Sequence, residues 1–299
     1  MKPTKILSIV LLMSVSNLVV AQDLNGSIKK VSVHDIYILP GFYSEQNTYG
    51  TLDDFKKLAP QSLLLNNEMS DYSQYEGSSM STNGSFSAMA GFLFRNSDQT
   101  AYKANPLLRL GISYFSATSL TSTLYKEERN PTDTLASSQS GQFIYMDSII
   151  SKRYDMNYTS DQVRLSGSLI FRTNPEARWS LFGGVGATLG LSVKASTEIN
   201  YSEYGYAEAK YSNGYYTSYY DYESENSRTE RFNNKNNFNA SAFIPLGIDF
   251  KIARKSEFWR RVHLYYEIQP GINITSIPEL KTVSNVTIHQ GIGLRVNWE

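Results

Sequence analysis

Residues 179–195, WSLFGGVGATLGLSVKA, put Trp179, Leu181, Gly183, Val185, Ala187, Leu189, Leu191, Val193 and Ala195 on one parity. Ser180, Phe182, Gly184, Gly186, Thr188, Gly190, Ser192 and Lys194 take the other. A helix is a poor reading, because each of the glycines at 183, 184, 186 and 190 is about 1 kcal/mol worse than alanine inside a helix and no 3.6-residue period is present. The two-residue period is that of a strand with one oily and one small or polar side. At roughly 3.3 Å per residue it extends about 55 Å, against about 17–20 Å for an ordinary strand. A strand tilted by about 45° crosses a bilayer in about 9–11 residues. The segment therefore predicts one stave of a transmembrane β-barrel that runs on past the membrane.

Seven further segments carry the same two-sided pattern. In SNVTIHQGIGLRVNWE, Val286, Ile288, Ile292, Leu294, Val296 and Trp298 oppose Thr287, His289, Gly291, Gly293, Arg295 and Asn297. NASAFIPLGIDFKI, DQVRLSGSLIFR, NPLLRLGISYF, RVHLYYEIQ and GSFSAMAGFLFR behave alike, and SVHDIYILPGFY, blurred from Ile36 to Pro40, is the weakest. Compact connections (96–105, 173–178, 253–260) alternate with long polar excursions (44–82, 119–160, 197–236). That alternation predicts an all-β, up-and-down antiparallel barrel of eight strands, with short periplasmic turns, long extracellular loops and both ends of the chain on the periplasmic side. A soluble eight-stranded barrel would turn the oily parity inward. Glycine and serine at the centre of the polar parity argue against it, since glycine weakens a water-exposed strand but suits a narrow, packed lumen.

The N-terminus supports export. Lys2 and Lys5 precede an apolar run from Ile6 to Met13, and Val19-Val20-Ala21 supplies the small residue before a cleavage site, so residues 1–21 read as a signal peptide and 22–299 as the barrel domain. Ser14, Ser16 and Asn17 interrupt the run before it is long enough for a membrane helix. With no cysteine there is neither a lipid-acceptor thiol nor a disulfide framework. Lys plus Arg and Asp plus Glu number 28 each, which removes the basic excess expected of a nucleic-acid binder.

On this pattern, on Gln22 at the expected cleavage point and on the C-terminal strand carrying Trp298, the mature chain resembles the small outer-membrane barrels of the OmpA, OmpX and OmpW type, the Bacteroidota barrels in particular. Glu299 departs from the resemblance, because members of the family usually finish on an aromatic residue. The resemblance implies outer-membrane lipid as surroundings and the barrel assembly machinery as a partner during biogenesis.

Chemistry is sparse. The three histidines, His34, His263 and His289, fall near the periplasmic end or in the lumen, away from the outer leaflet where a lipid-modifying nucleophile and base would have to meet. No zinc spacing or nucleotide fingerprint occurs, so no catalytic residue, metal or cofactor is expected. The inward parity holds Arg109, Arg164, Asp249, Lys251, Glu267 and Arg295, which form either an ionic plug or a selective pore, with Glu267 and Arg295 expected in one network. In the excursion 197–236, Tyr204, Tyr206, Tyr211, Tyr215, Tyr216, Tyr219 and Tyr220 are candidates for recognition of an extracellular ligand or protein; equally, they stiffen an extended hairpin. TLDDFKKLA predicts a short helix capped by Thr51 with Asp54. The functional expectation is a non-enzymatic barrel acting at the cell surface or in envelope integrity. An OmpW-like channel for small solutes or hydrophobic compounds is the alternative, and a lipid-modifying enzyme the third.

Overall fold

In the computed structural model the described residues are 31–297, apart from 76, 78, 95–105, 137–142, 175–176, 212–214, 221–225, 254–255 and 281. The signal segment, the turn 96–105 and Trp298 lie outside them. Strands β1 (Val31–Gln46), β2 (Met80–Phe94), β3 (Leu107–Ala136), β4 (Phe143–Arg172) and β5 (Trp179–Tyr211) follow one another in sequence. β6 comes in two pieces, Phe238–Phe243 and Leu246–Lys251, and is followed by β7 (Val262–Ser276) and β8 (Thr282–Asn297). Each strand pairs antiparallel with the next, and β1 closes the ring on β8. The architecture is an eight-stranded up-and-down β-barrel.

β6 breaks where Pro245 offers no N–H. The ladder is carried past the break by Gly184 N donating to Pro245 O (3.0 Å) and Ile244 N donating to Pro270 O (2.9 Å). Stepping from partner to partner from Asp35 through Gly91, Arg109, Ser168, Gly186, Phe243, Gly271 and Thr287 returns to β1 at Glu45, a stagger of 10 residues. A stagger of this kind is what tilts barrel strands by roughly 35–45°.

The oily parity points outward. Leu181, Val185, Leu189, Ile248, Ile292 and Leu294 are exposed on the outer wall, while Ser87, Ser166, Ser168, Asp249 and Arg295 are buried inside. Wide side chains fit this narrow interior because glycines face them. A Cβ on Gly247 would come within 2.3 Å of the Phe182 ring, and one on Gly186 within 2.4 Å of Phe243. β1 follows the same rule despite its blurred sequence: Asp35, Tyr37, Leu39, Tyr43 and Glu45 are buried, and Ile36, Ile38 and Phe42 are exposed.

Two long excursions, 119–160 and 197–236, are not loops but continuations of the barrel strands. β3 and β4 each run for 30 residues and β5 for 33, so they project beyond the ring as a sheet-like arm. Two irregularities mark the junction, Ser119 inserted between Thr118 and Leu120 on β3, and Val193 unpaired between Ser192 and Lys194 on β5. The second reverses the parity: Val193 faces out with Leu191, and Ala195, expected beside them, is buried inside. Beyond the ring the outer face carries polar side chains such as Glu198 and Arg231, so the outward oily parity vanishes from the sequence while Tyr, Thr and Ile keep the strand going. Two further strands, Tyr216–Tyr220 and Asn226–Asn233, pair with β5 and widen the arm. On its outer face Arg231 Nε donates to Glu198 at 2.9 Å and holds that carboxyl below the usual carboxylate range.

The first excursion folds back over the mouth of the ring. Helix α1 (Leu52–Leu58) starts at Thr51, whose hydroxyl accepts from Asp54 N (3.2 Å) while the Asp54 carboxylate accepts from Thr51 N (3.0 Å), the capping box expected from the sequence. Phe55, Leu58, Leu64, Leu65 and Met69 pack on Leu120, Met156, Tyr158, Ile199 and Ile277 as an apolar cap. Polar ties fix its edge. Ser62 Oγ donates to Glu230 (2.6 Å), Asn67 Nδ2 to the Tyr154 hydroxyl (3.1 Å) and Asn234 Nδ2 to Leu58 O (2.7 Å).

Candidate functional site

The lumen beneath the cap is filled by charges arranged in layers. Nearest the short turns, Arg295 from β8 reaches Asp35 on β1 (3.3 Å) and Asp249 on β6 (3.2 Å). His263 Nδ1 lies 2.6 Å from the same Asp249. Arg172 from β4 completes the layer, 3.4 Å from Asp249 and donating to the Tyr37 hydroxyl at 2.9 Å, which in turn donates to Asp35 at 3.0 Å. Two guanidinium groups thus face two carboxylates, which is how charges persist away from water.

One step higher, Arg109 and Glu267 form a two-pronged pair, Nη1 to Oε2 and Nη2 to Oε1 both at 2.6 Å. Arg109 also donates through Nε to Ser168 Oγ (3.1 Å), and Gln269 Nε2 donates to Glu267 Oε1 (2.6 Å). His289 sits beside them, 2.9 Å from Ser85 Oγ and 3.2 Å from Gln269 Oε1. Higher again, Arg164 donates to Gln162 Oε1 (2.9 Å) and lies over the ring of Phe115, 4.5 Å from its centroid. Glu45 accepts at Oε1 from Asn273 (3.0 Å) and Asn285 (2.9 Å). Between Arg164 and His289 is a cavity of about 30 Å³ bordered by Ser87, Ser113, Ser166 and Thr188, enough for one or two waters.

Of the six charges placed on the inward parity in the sequence, Arg109, Arg164, Asp249, Glu267 and Arg295 are buried inside the ring, while Lys251, the last residue of β6, is only partly covered. Glu267 and Arg295 are not partners. Arg295 stands opposite His263 on β7, whereas Glu267 is four residues further along the strand and level with Gly291, so each finds a nearer counter-charge. Asp35 and Arg172 escaped the sequence reading. Asp35 could have been found by fixing the parity of β1 from Tyr37, Leu39, Tyr43 and Glu45.

Tyr204, Tyr206 and Tyr211 lie on β5 and Tyr216, Tyr219 and Tyr220 on the strand beside it, with Tyr215 just before that strand. Tyr204 and Tyr206 stack on β5 with ring centroids 6.3 Å apart, Lys210 lies over the Tyr216 ring, and Tyr204, Tyr215 and Tyr216 are exposed. Tyr211 is partly covered, and the side chains of Tyr219 and Tyr220 fall outside the described residues. Among the described residues no three His, Asp or Glu side chains gather as a metal site.

The fold and its interior define a closed β-barrel with a plugged lumen and a one-sided projecting arm. No protein-family model matches the chain, and no curated protein sequence does. Among solved structures it is similar to Neisserial surface protein A at 11% identity, covering 90% of this chain and 99% of that one, with a TM-score of 0.30. It is similar also to Ail, the attachment invasion locus protein of Yersinia pestis, at 12% identity over 88% and 99%, with a TM-score of 0.25. OmpT of Vibrio cholerae matches at 7% identity over 92% and 100%, with a TM-score of 0.16.

Proposed function

We propose that this chain is a non-conducting outer-membrane barrel, exported by its N-terminal signal, whose arm makes contact with a ligand or protein outside the cell. The observation that carries the reading is the contrast between the two ends of the molecule. The axis of the ring is blocked by paired charges and an apolar cap, while β3, β4 and β5 continue beyond it for many residues and present exposed tyrosines. Apolar side chains around the whole outer wall support lipid as its surroundings, since an exposed apolar surface this extensive is not left in water by a soluble monomer. Tyrosine with serine and asparagine on a rigid sheet supplies contact area at small entropic loss.

Protease applied to intact cells tests the topology and bilayer recordings of the refolded barrel test the plug. The reading expects cleavage in the arm without permeabilising the outer membrane, and no discrete current steps. Cleavage only after permeabilisation, or a stable conductance, would overturn it in favour of an inverted topology or a channel.

A further inference from the structure

The turn end of the barrel sets exposed aromatic rings beside exposed guanidinium groups that have no carboxylate partner among the described residues. Trp179 opens β5 on the outer wall and packs on Phe250 at the end of β6, ring centroids 4.4 Å apart. The Arg178 guanidinium lies 4.9 Å over that same Phe250 ring. Lys251 N donates to Arg178 O at 2.9 Å, locking the two strand ends together. On the next turn Phe258 and Trp259 meet edge to face at 5.2 Å, both exposed, with Arg260 exposed beside them.

Among the described residues Arg178 and Arg260 have no carboxylate within 4.0 Å, whereas Arg261 pairs with Glu257 and the guanidiniums of Arg109, Arg172 and Arg295 in the lumen pair with carboxylates. The charge also differs between the ends. IARKSEFWRR, residues 252–261, has four cations and one carboxylate, while the arm segment 197–236 has four cations and seven carboxylates.

We propose that this rim binds the phosphate of an anionic glycerophospholipid in the leaflet that surrounds it. Arg178 and Arg260 face the phosphate, and Trp179, Phe250, Phe258 and Trp259 lie against the glycerol and the first part of the acyl chains. Continuity with the apolar wall selects a lipid over a soluble anion. Indole rings settle at the level of the headgroups, and guanidinium groups with no internal partner are satisfied there by lipid phosphate. A zwitterionic lipid brings its own cation to the same place and gains less.

The proposal rests on the outer-membrane reading, and the test separates the two. The full chain is refolded into nanodiscs of equal parts phosphatidylglycerol and phosphatidylcholine, released gently, and its retained lipid is measured by native mass spectrometry. Phosphatidylglycerol is expected to be retained preferentially. The preference should fall about fivefold for each of Arg178→Gln and Arg260→Gln, the equivalent of about 1 kcal/mol per cation near an anionic surface, and Arg178→Lys should keep most of it. Equal retention of the two lipids by the unaltered protein, or an unchanged preference in the double variant, would overturn the proposal and leave the barrel reading intact. Failure of the chain to enter either lipid as a heat-modifiable species would overturn both.

Discussion

Arg109 on β3 and Glu267 on β7 meet head-on across the axis of the ring, from strands four places apart in an eight-strand circle, with both hydrogen bonds at 2.6 Å and neither side chain exposed. This pair ties opposite walls of the ring together.

Removing one member of such a pair leaves the other buried and uncompensated, at a cost of about 3–5 kcal/mol, while replacing both with apolar side chains is often neutral or stabilising. Arg109→Met and Glu267→Leu are each expected to lower the urea midpoint of the refolded barrel, and the two together to recover most of the loss. A double-mutant cycle on unfolding midpoints checks it; additive losses would sink the idea.

Glycine in the lumen is a space requirement. In Gly247→Ala the new methyl would meet both the Phe182 ring and Tyr266 O at 2.3 Å, and the second of these is backbone that cannot swing away. Overpacking of this kind typically costs about 1–3 kcal/mol. Gly167→Ala, whose nearest neighbour would be Leu110 at 3.4 Å, is the control and should unfold with an unchanged midpoint.

The two faces of the wall can be read with spin labels. Labels at Leu181, Val185, Leu189, Ile248, Leu294 and Val296 are expected to relax with lipid-phase oxygen, and labels at Ser166, Gly186, Asp249 and Arg295 to be shielded from it. The opposite pattern would mean that the oily parity faces the interior and the wall is not set in lipid.

The cap and the arm are joined, which limits what can be trimmed. Ile199 is fully buried in the cap cluster, and Glu230 and Asn234 hold the residues around α1. Deleting 200–236 is therefore expected to loosen residues 50–72 to protease, whereas shortening only 205–222 should leave the cap resistant. Both forms should keep heat-modifiable migration, since β5 still pairs with β6 from Phe182 to Leu191. Loss of folding in the shorter deletion would show that the arm supports the ring.

Phe55 is the centre of the cap. Phe55→Ala removes a fully buried ring, a change that costs about 3–5 kcal/mol where the surroundings cannot collapse. The cap should then open to protease while the bilayer stays silent, because Arg109 and Glu267 still block the axis beneath it. Current steps in this variant alone would place the barrier in the cap.

The ring was legible in the sequence because lipid imposes an apolar parity on every wall strand, and Leu181 to Val193 or Val286 to Val296 show it over many residues. Polar surroundings impose no such parity, so the arm parts of β3, β4 and β5 read as loops. Register lies beyond the reach of parity as well. Alternation says that Glu267 and Arg295 both point inward, but only the strand offset decides that one meets Arg109 and the other Asp35 and Asp249. The cap was half visible: Thr51 and Asp54 announced the helix, while its packing on Tyr158 and Ile199 depends on where distant strands end.

β3, β4 and β5 each pass from the short-turn end of the barrel to the arm as one continuous strand, with single extra residues at Ser119, Thr132 and Val193. Hydrogen bonds between antiparallel strands run across the strand direction, so a tug along the arm loads many of them at once in shear instead of opening them one by one. A load on the far end of the arm would pass along these strands into the barrel wall itself, so arm and ring resist tension as one sheet.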